Sequence, residues 1–447
     1  MRTKSQQLLE ELQNQIHSEW IKERFRIEPR YFTRDRVFTF SVVVLMHLNI
    51  LSRSLSVEIH KFLKLCKFPK IGSKQAFSKA CSHLKWEAFE YFNDFFIKRY
   101  YSDQEYLKYK ETYLLLAVDG TSFDLPYEPE LIETFHTFDN GQGQPICKAQ
   151  SVKFYDLLNH LTLTSSFAPY NAGEGKGQSE QALFDQGIEK LPELIDNQLH
   201  SILLVGDIYY ASFFYAHHLP QLGYDFLFRC TPTFCNEVKA FAKSGLKDTV
   251  LEIDLSIKHR KYSKSVKRMG ESKPEILKIR CVKIPLPNGE TEFLLTNITS
   301  NKLSVEELGE IYDLRWGEEV SFDTDKNIIE IENFASKSPN GVRQEFYGKT
   351  LTCNIAELLI ADAQKELDEI QKSKNNKHQY KINRATTIGL VKDEIVFFFT
   401  AKEAIETWYP RMLKEILRHR VPIRPGRFFS KKRKHKLKFS MNKRRVT

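Results

Sequence analysis

The sequence predicts an α/β fold: a mixed sheet flanked by helices, preceded by an all-α region over residues 1–110 and closed by a basic tail. Three observations carry this. Two short apolar runs, Tyr113–Val118 and Ile202–Val205, have the texture of strands buried on both faces, and each stops at an aspartate. Apolar residues recur at helical spacing before residue 110 and again after 298. Between the second run and those later helices, strict alternation at Leu251, Ile253, Leu255 and Ile257 marks a β-rich stretch. With 447 residues, 41% hydrophobic and 13% aromatic, the chain can fill a large core.

Taken in order, Leu8, Leu9, Leu12, Ile16, Trp20 and Ile21 line one face of a helix over 6–26, and a second, more apolar helix is expected over 36–52. Ser73 is an N-cap candidate for a helix burying Ala76, Phe77, Ala80, Cys81 and Leu84. Its open face, with Lys74, Gln75, Ser78 and Lys79, would suit a DNA major groove, although a plain bundle with a wet face reads equally well. The first buried strand is expected to end at Asp119-Gly120. Residues 149–155 and 160–166 then read as a hairpin around Asp156–Asn159. The Gly-rich segment 173–178 lacks the ending of a phosphate-binding loop and is taken as an ordinary connection.

A helix over 180–190 leads into the second buried strand, which ends at Gly206-Asp207. A helix over 212–219 and a strand over 224–228 come next. Two strands of one character, each ending in an aspartate, point to a parallel core with a polar edge, where ligands of such sheets sit. The domain boundaries expected are a core over 111–229, a separate β-rich insertion over 230–297 turning at Asn288-Gly289, a second core part with helices over 298–417, and a basic tail over 418–447. In the second part, helices are expected over 304–333, 342–373 and 402–417.

Charge is unevenly spread: of the net +10, residues 1–110 hold +8 and the tail +13, leaving −11 for the middle. Basic flanks would grip a polyanion and an acidic centre would collect cations, while the bland alternative is solvated charge. The longest apolar stretch, 38–51, is short of the ~20 residues of a membrane span, and the first residues are polar and amphipathic. The seven cysteines lack zinc spacing and read as reduced, mostly buried thiols. A cytoplasmic protein is expected. The His217-His218 pair reads as packing, and Asp124, Asp156 and Asp323 as surface or structural acids.

On a helix around Arg315, steps of about 100° put Tyr312, Arg315, Glu319 and Lys326 on one narrow face. A carboxylate flanked by two cations and a phenol suits phosphate and metal, although an ion-paired amphipathic helix would look the same. This spacing, Tyr-x2-Arg-x3-Glu-x6-Lys, resembles the signature of the insertion-sequence-four family of DDE transposases. The stretch just downstream, Asn327 to Phe334, is similar to the segment that family carries after its signature. Val118-Asp119-Gly120, Gly206-Asp207 with Tyr210 and Ser212, and the tail from Pro422 to Arg427 are similar to further motifs of the family. The resemblance spans roughly residues 70–440.

The resemblance implies a ribonuclease-H-like sheet with room for a β-rich insertion, in which Asp119, Asp207 and Glu319 converge to hold two Mg²⁺ ions, replaceable by Mn²⁺. Crowded carboxylates need cations to neutralise them, and oxygen donors suit a hard ion. Asp119 would bridge both ions. Tyr312, Arg315 and Lys326 would position phosphates, and Trp316 would stack on an unpaired base. The partners implied are the element's terminal inverted repeats, target DNA and a second copy of the chain in a synaptic homodimer. The location implied is the bacterial nucleoid. Two departures stand out: Asp207-Ile208-Tyr209-Tyr210 lacks the arginine and glycine common after the second aspartate, and Asp325 stands where an apolar residue is usual. The rival readings are a domesticated DNA-binding protein without catalysis and a metal-dependent endonuclease without strand transfer; a glycosidase fits the basic ends poorly.

Overall fold

The computed structural model describes residues 2–34, 36–49, 54–69, 71–103, 105–139, 145–171, 177–196, 201–256, 263–287, 289–315, 317, 326, 328–373, 378–400 and 403–424. Six helices come first: α1 (Lys4–Ile16), α2 (Glu19–Phe25), α3 (Phe40–Leu48), α4 (Leu55–Leu65), α5 (Lys74–Cys81) and α6 (Glu87–Tyr101). Their starts reflect local chemistry. Thr3, Thr39 and Ser73 each accept a hydrogen bond from a backbone N–H of the first turn, which satisfies one of the donors a helix start leaves open.

The sheet begins with β1 (Tyr113–Asp124), followed by α7 (Pro129–Phe135), β2 (Thr137–Phe138), β3 (Ile146–Asp156), β4 (Thr162–Ser165) and β5 (Ala168–Pro169). Next come α8 (Glu180–Leu194), β6 (Ser201–Gly206), α9 (Phe213–Gln221), β7 (Asp225–Cys230), α10 (Asn236–Lys243), β8 (Asp248–Asp254), α11 (Ser263–Arg268), β9 (Ile276–Pro285) and β10 (Thr291–Thr296). The main path runs β2-β3-β1-β6-β7-β10-β9-β8, with β4 and β5 on β3. β1 is antiparallel to β3 and parallel to β6, and β6 is parallel to β7. The chain closes with α12 (Val305–Leu314), α13 (Pro339–Lys372), β11 (Tyr380–Ile382), α14 (Arg384–Phe399), α15 (Ile405–Arg418) and β12 (Arg420–Pro422).

Several expectations are corrected. The strands expected as a separate insertion extend the central sheet, since β10 pairs with β7 and carries β9 and β8 outward. β1 does not stop at Asp119-Gly120 but continues to Asp124, its polar end paired with β3 alone. The helix expected over 304–333 does not reach 333: residues 329–335 are turn and irregular chain, with Glu330 at φ 51°, a conformation that leaves a right-handed helix. Helices the sequence does not announce are present at 129–135 (α7), 236–243 (α10), 263–268 (α11) and 384–399 (α14), and the helix expected over 6–26 is broken into α1 and α2. Asn288 and the segments 172–176 and 425–447 lie outside the described residues.

The two faces of the sheet carry different cores. One is small: Tyr113, Leu115 and Ala117 of β1, Leu203 and Val205 of β6, and Leu227 of β7 pack with Leu308, Ile311 and Tyr312 of α12. On the other face Leu114, Leu116 and Val118 of β1 belong to a core shared with the N-terminal helices, α8 and α13 to α15. The period of two in a strand accounts for this division. The first 110 residues are therefore packed into the body of the molecule through α13. Five of the seven cysteines are buried and all are free thiols, as the sequence predicts. Among the described residues no helix is long and apolar enough to cross a membrane.

Candidate active site

β1 and β6 run parallel in a register whose last pair is Val118 with Gly206, so Asp119, where β1 runs on past the end of β6, and Asp207, the first residue after β6, come next to each other. Strand alternation aims Asp119 to the face of Ala117, Leu115 and Tyr113, and Asp207 to that of Val205 and Leu203. That is the face covered by α12. One oxygen of each carboxylate is fixed by the backbone: Gly120 N–H donates to Asp119 Oδ1 at 2.8 Å, and Tyr209 N–H to Asp207 Oδ1 at 2.8 Å. Across the antiparallel pairing, Asp119 stands opposite Lys153, whose side chain is buried on the same face.

A third carboxylate, not singled out by the sequence, comes from the opposite face. Glu180 opens α8 directly after its N-cap, Ser179, and lies over Gly120, where a Cβ would stand 2.2 Å from the Glu180 carboxyl carbon. Glycine is what lets that carboxylate approach the strand. Tyr210, fully buried, donates its hydroxyl to Glu180 Oε1 at 2.8 Å. Burial pushes the Glu180 pKa up; the Tyr210 hydrogen bond opposes this, and the charges of Asp119 and Asp207 add to the rise. No spacing rule links Glu180 to the aspartates, because only the fold brings α8 to β1.

The signature segment divides between described and undescribed residues. Tyr312 lies in the last turns of α12, only 2% exposed, and its hydroxyl has no hydrogen-bond partner among the described groups. Burial raises its pKa to about 12, with the neighbouring Arg315 opposing and Asp207 among the charges that add. Arg315 caps α12, is itself buried, and holds its guanidinium 5.4 Å from the Tyr312 ring. Lys326 reaches β1 just beyond Asp119, donating to Thr121 Oγ1 at 2.8 Å and to the Ser122 carbonyl at 3.2 Å. It belongs to a π-helical turn, so the 100° step that aligned it with Tyr312 on the helical wheel does not carry through. Glu319 and Trp316 lie outside the described residues. Tyr312 and Arg315 thus stand near Asp207 and Lys326 near Asp119, from two ends of one chain segment.

A match to the family model of the transposase DDE domain runs over residues 110–355, more than half of the chain, and takes in the whole sheet, α12 and the start of α13. This chain belongs to the transposase DDE domain family. No curated protein matches its sequence. Among solved structures it is similar to the piggyBac transposase in a cryo-EM structure of its synaptic complex with hairpin DNA, at 9% identity and a TM-score of 0.47, over 92% of this chain and 84% of that one.

The other sequence-derived acids of this DDE domain fall elsewhere. Asp156 is buried at the β3 turn, where Tyr101 Oη donates to it at 2.5 Å and the backbone N–H groups of Leu158 and Asn159 donate at 2.9 and 3.0 Å. It is structural, as expected. Asp124 sits at the far end of β1 near Lys148, 3.7 Å away, and Asp323 lies outside the described residues. His218 stacks on Phe214 and His217 bonds Gln221, which agrees with a packing role.

Proposed function

We infer that this transposase cuts and pastes DNA, with Asp119, Asp207 and Glu319 holding two divalent ions, Mg²⁺ or Mn²⁺. The observation that carries the reading is the register that sets Asp119 and Asp207 side by side under α12. The sheet order, with three antiparallel strands followed by β6 and β7 in parallel, is what a ribonuclease-H-like core would give. The residues fit a hard cation, because the donors are carboxylate oxygens. Among the described residues no three His, Cys, Asp or Glu side chains are grouped closely enough to hold a metal. The pair needs a further ligand, and Glu319 is the one we assign, on the stretch between Arg315 and Lys326.

When bound, the ions would polarise the scissile phosphodiester and activate a water or a DNA 3′-hydroxyl as nucleophile. The chain's own residues do the positioning. The buried Tyr312 hydroxyl offers a donor that no described protein group accepts, and we assign it, with Arg315 and Lys326, to phosphates at the transposon end. Trp316 stacks on an unpaired base. Residues 1–110 bind the terminal inverted repeats, the tail adds salt-sensitive affinity, and two copies hold two ends together.

The test is to incubate the protein with a labelled duplex carrying the flanks of its own gene, with Mg²⁺ or EDTA, beside Asp119→Asn and Glu319→Gln. Metal-dependent cleavage at the ends, lost in both variants, supports the reading. Binding without cleavage under every metal condition would favour the domesticated DNA-binder, and cleavage that never proceeds to joining would favour the endonuclease.

A further inference from the structure

We propose that α5 is the helix that reads the terminal DNA from the major groove, and that it is held at a fixed distance from the aspartate pair by α13. This rests on the transposase reading and goes beyond it by naming the reading face and its mechanical link to the cutting site.

The face is built by simple geometry. Along α5, Lys74, Ser78, Gln75 and Lys79 fall at about 0°, 40°, 100° and 140°, while Phe77 and Ala80 fall at about 300° and 240°. The first four are exposed, and none makes a side-chain hydrogen bond or ion pair among the described residues; Phe77 and Ala80 are buried. Phe77 packs on Phe38, 5.3 Å between ring centroids, and on His47 of α3 at 5.8 Å, so the helix is seated by its inner face alone. The charge is one-sided: residues 59–86 contain seven lysines and no aspartate or glutamate. Of these, Lys64 and Lys67 at the end of α4, which packs against α5, are exposed, while Lys61 is paired with Asp393 and Lys85 donates to the Arg24 carbonyl. Lysines would hold phosphates, while Gln75 and Ser78 carry the donors and acceptors that distinguish base edges.

The link runs through polar bonds at buried positions. Gln344 of α13 donates to the carbonyls of Cys81 at 2.9 Å and Leu84 at 2.6 Å, where α5 ends. Asn340 donates to the Leu84 carbonyl at 2.9 Å and accepts from Trp86 N–H at 3.1 Å, and Trp86 stacks on Tyr347 at 5.1 Å. The next turns of α13 fasten the chain that leaves the signature segment. Glu345 accepts from Ala335 N–H at 2.8 Å and Ser336 N–H at 2.7 Å, and Lys349 donates to the Glu330 carbonyl at 3.0 Å. Lys326, a few residues upstream, is bonded to β1 beside Asp119. One helix therefore braces α5 at one side and the aspartate strand at the other, so DNA seated on α5 meets the carboxylates at a set offset.

The experiment measures binding of the full chain by fluorescence anisotropy, at one fixed salt concentration, to a duplex carrying its own gene's flank and to a scrambled duplex of equal length. In Gln75→Ala/Ser78→Ala the preference for the flank is expected to fall on the order of tenfold, with affinity for the scrambled duplex unchanged. Lys64→Ala/Lys67→Ala should weaken both duplexes alike and flatten the salt dependence. All four positions are exposed, and matching circular dichroism melts confirm that the variants fold. In Gln344→Ala, the cleavage position is expected to scatter while flank preference persists. Undiminished preference in Gln75→Ala/Ser78→Ala overturns the assignment of α5 while leaving the transposase reading intact. A wild-type chain that cannot tell the two duplexes apart, and cuts neither, overturns both.

Discussion

Replacing Tyr312 by phenylalanine separates stability from catalysis. The side chain is 2% exposed, and its hydroxyl has no protein partner among the described groups. A buried hydroxyl left unsatisfied costs about 1–3 kcal/mol, whereas the space vacated by one oxygen atom costs less. Tyr312→Phe keeps the ring among Tyr113, Leu115, Ala117 and Ile311. The variant is therefore expected to be more stable than the wild type by about 1 kcal/mol, read as a shift of the urea midpoint at unchanged slope. Cleavage should move the other way. A hydrogen bond to a charged phosphate is worth about 1.5–3 kcal/mol, so loss of the donor predicts a rate lower by roughly 10- to 100-fold. A variant destabilised by about 1 kcal/mol or more would mean that the hydroxyl has a partner in the folded chain. Cleavage unchanged to within about twofold would remove Tyr312 from the phosphate site.

The same packing fixes three further outcomes. Gly120→Ala places a methyl group 2.2 Å from the Glu180 carboxyl carbon, the far end of a flexible side chain, so the carboxylate should swing aside and lose its Tyr210 bond; the cost of about 1 kcal/mol should largely vanish in a Glu180→Ala background, so additive effects in denaturant titrations would contradict the contact. Glu180→Gln keeps an acceptor for Tyr210 and removes one negative charge beside the aspartates, so calorimetric Mn²⁺ affinity should fall while the apo protein is no less stable; tighter binding would refute the charge argument. Asp94 shares Lys190 with Glu90 and is pushed up to about 6, chiefly by burial. Because the folded-state value lies above the unfolded one, its contribution is full below pH ~4 and is lost as pH rises through ~6, about 2–3 kcal/mol in all. Asp94→Asn should flatten stability across that window, and an unchanged slope would assign the effect elsewhere.

The aspartates were legible because a buried strand must be apolar until it leaves the core, so Val118 and Val205 hand over to Asp119 and Asp207 at a visible boundary. The continuation of β1 to Asp124 was not legible. Thr121, Ser122 and Asp124 are polar, β3 is the one strand that pairs with them among the described residues, and that partner lies some thirty residues away. For the same reason the alternation of β8 to β10 announced strands without saying that β10 would join β7. Helix α14 escaped notice because it packs against α3, α13 and α15 together, which leaves little periodicity to read. Glu180 carried no local signal at all; its place depends on α8 crossing the sheet to meet Gly120. The helical wheel at Tyr312 assumed one continuous α-helix, and the π-helical turn at Lys326 breaks that assumption.

The most direct test of the central claim is an anomalous-scattering map of the protein bound to an end duplex with Mn²⁺. Two peaks about 4 Å apart, one touching both Asp119 and Asp207 and the other completed by Glu319, are the predicted result. Manganese bound elsewhere, or a Glu319 carboxylate that touches neither ion, would contradict it.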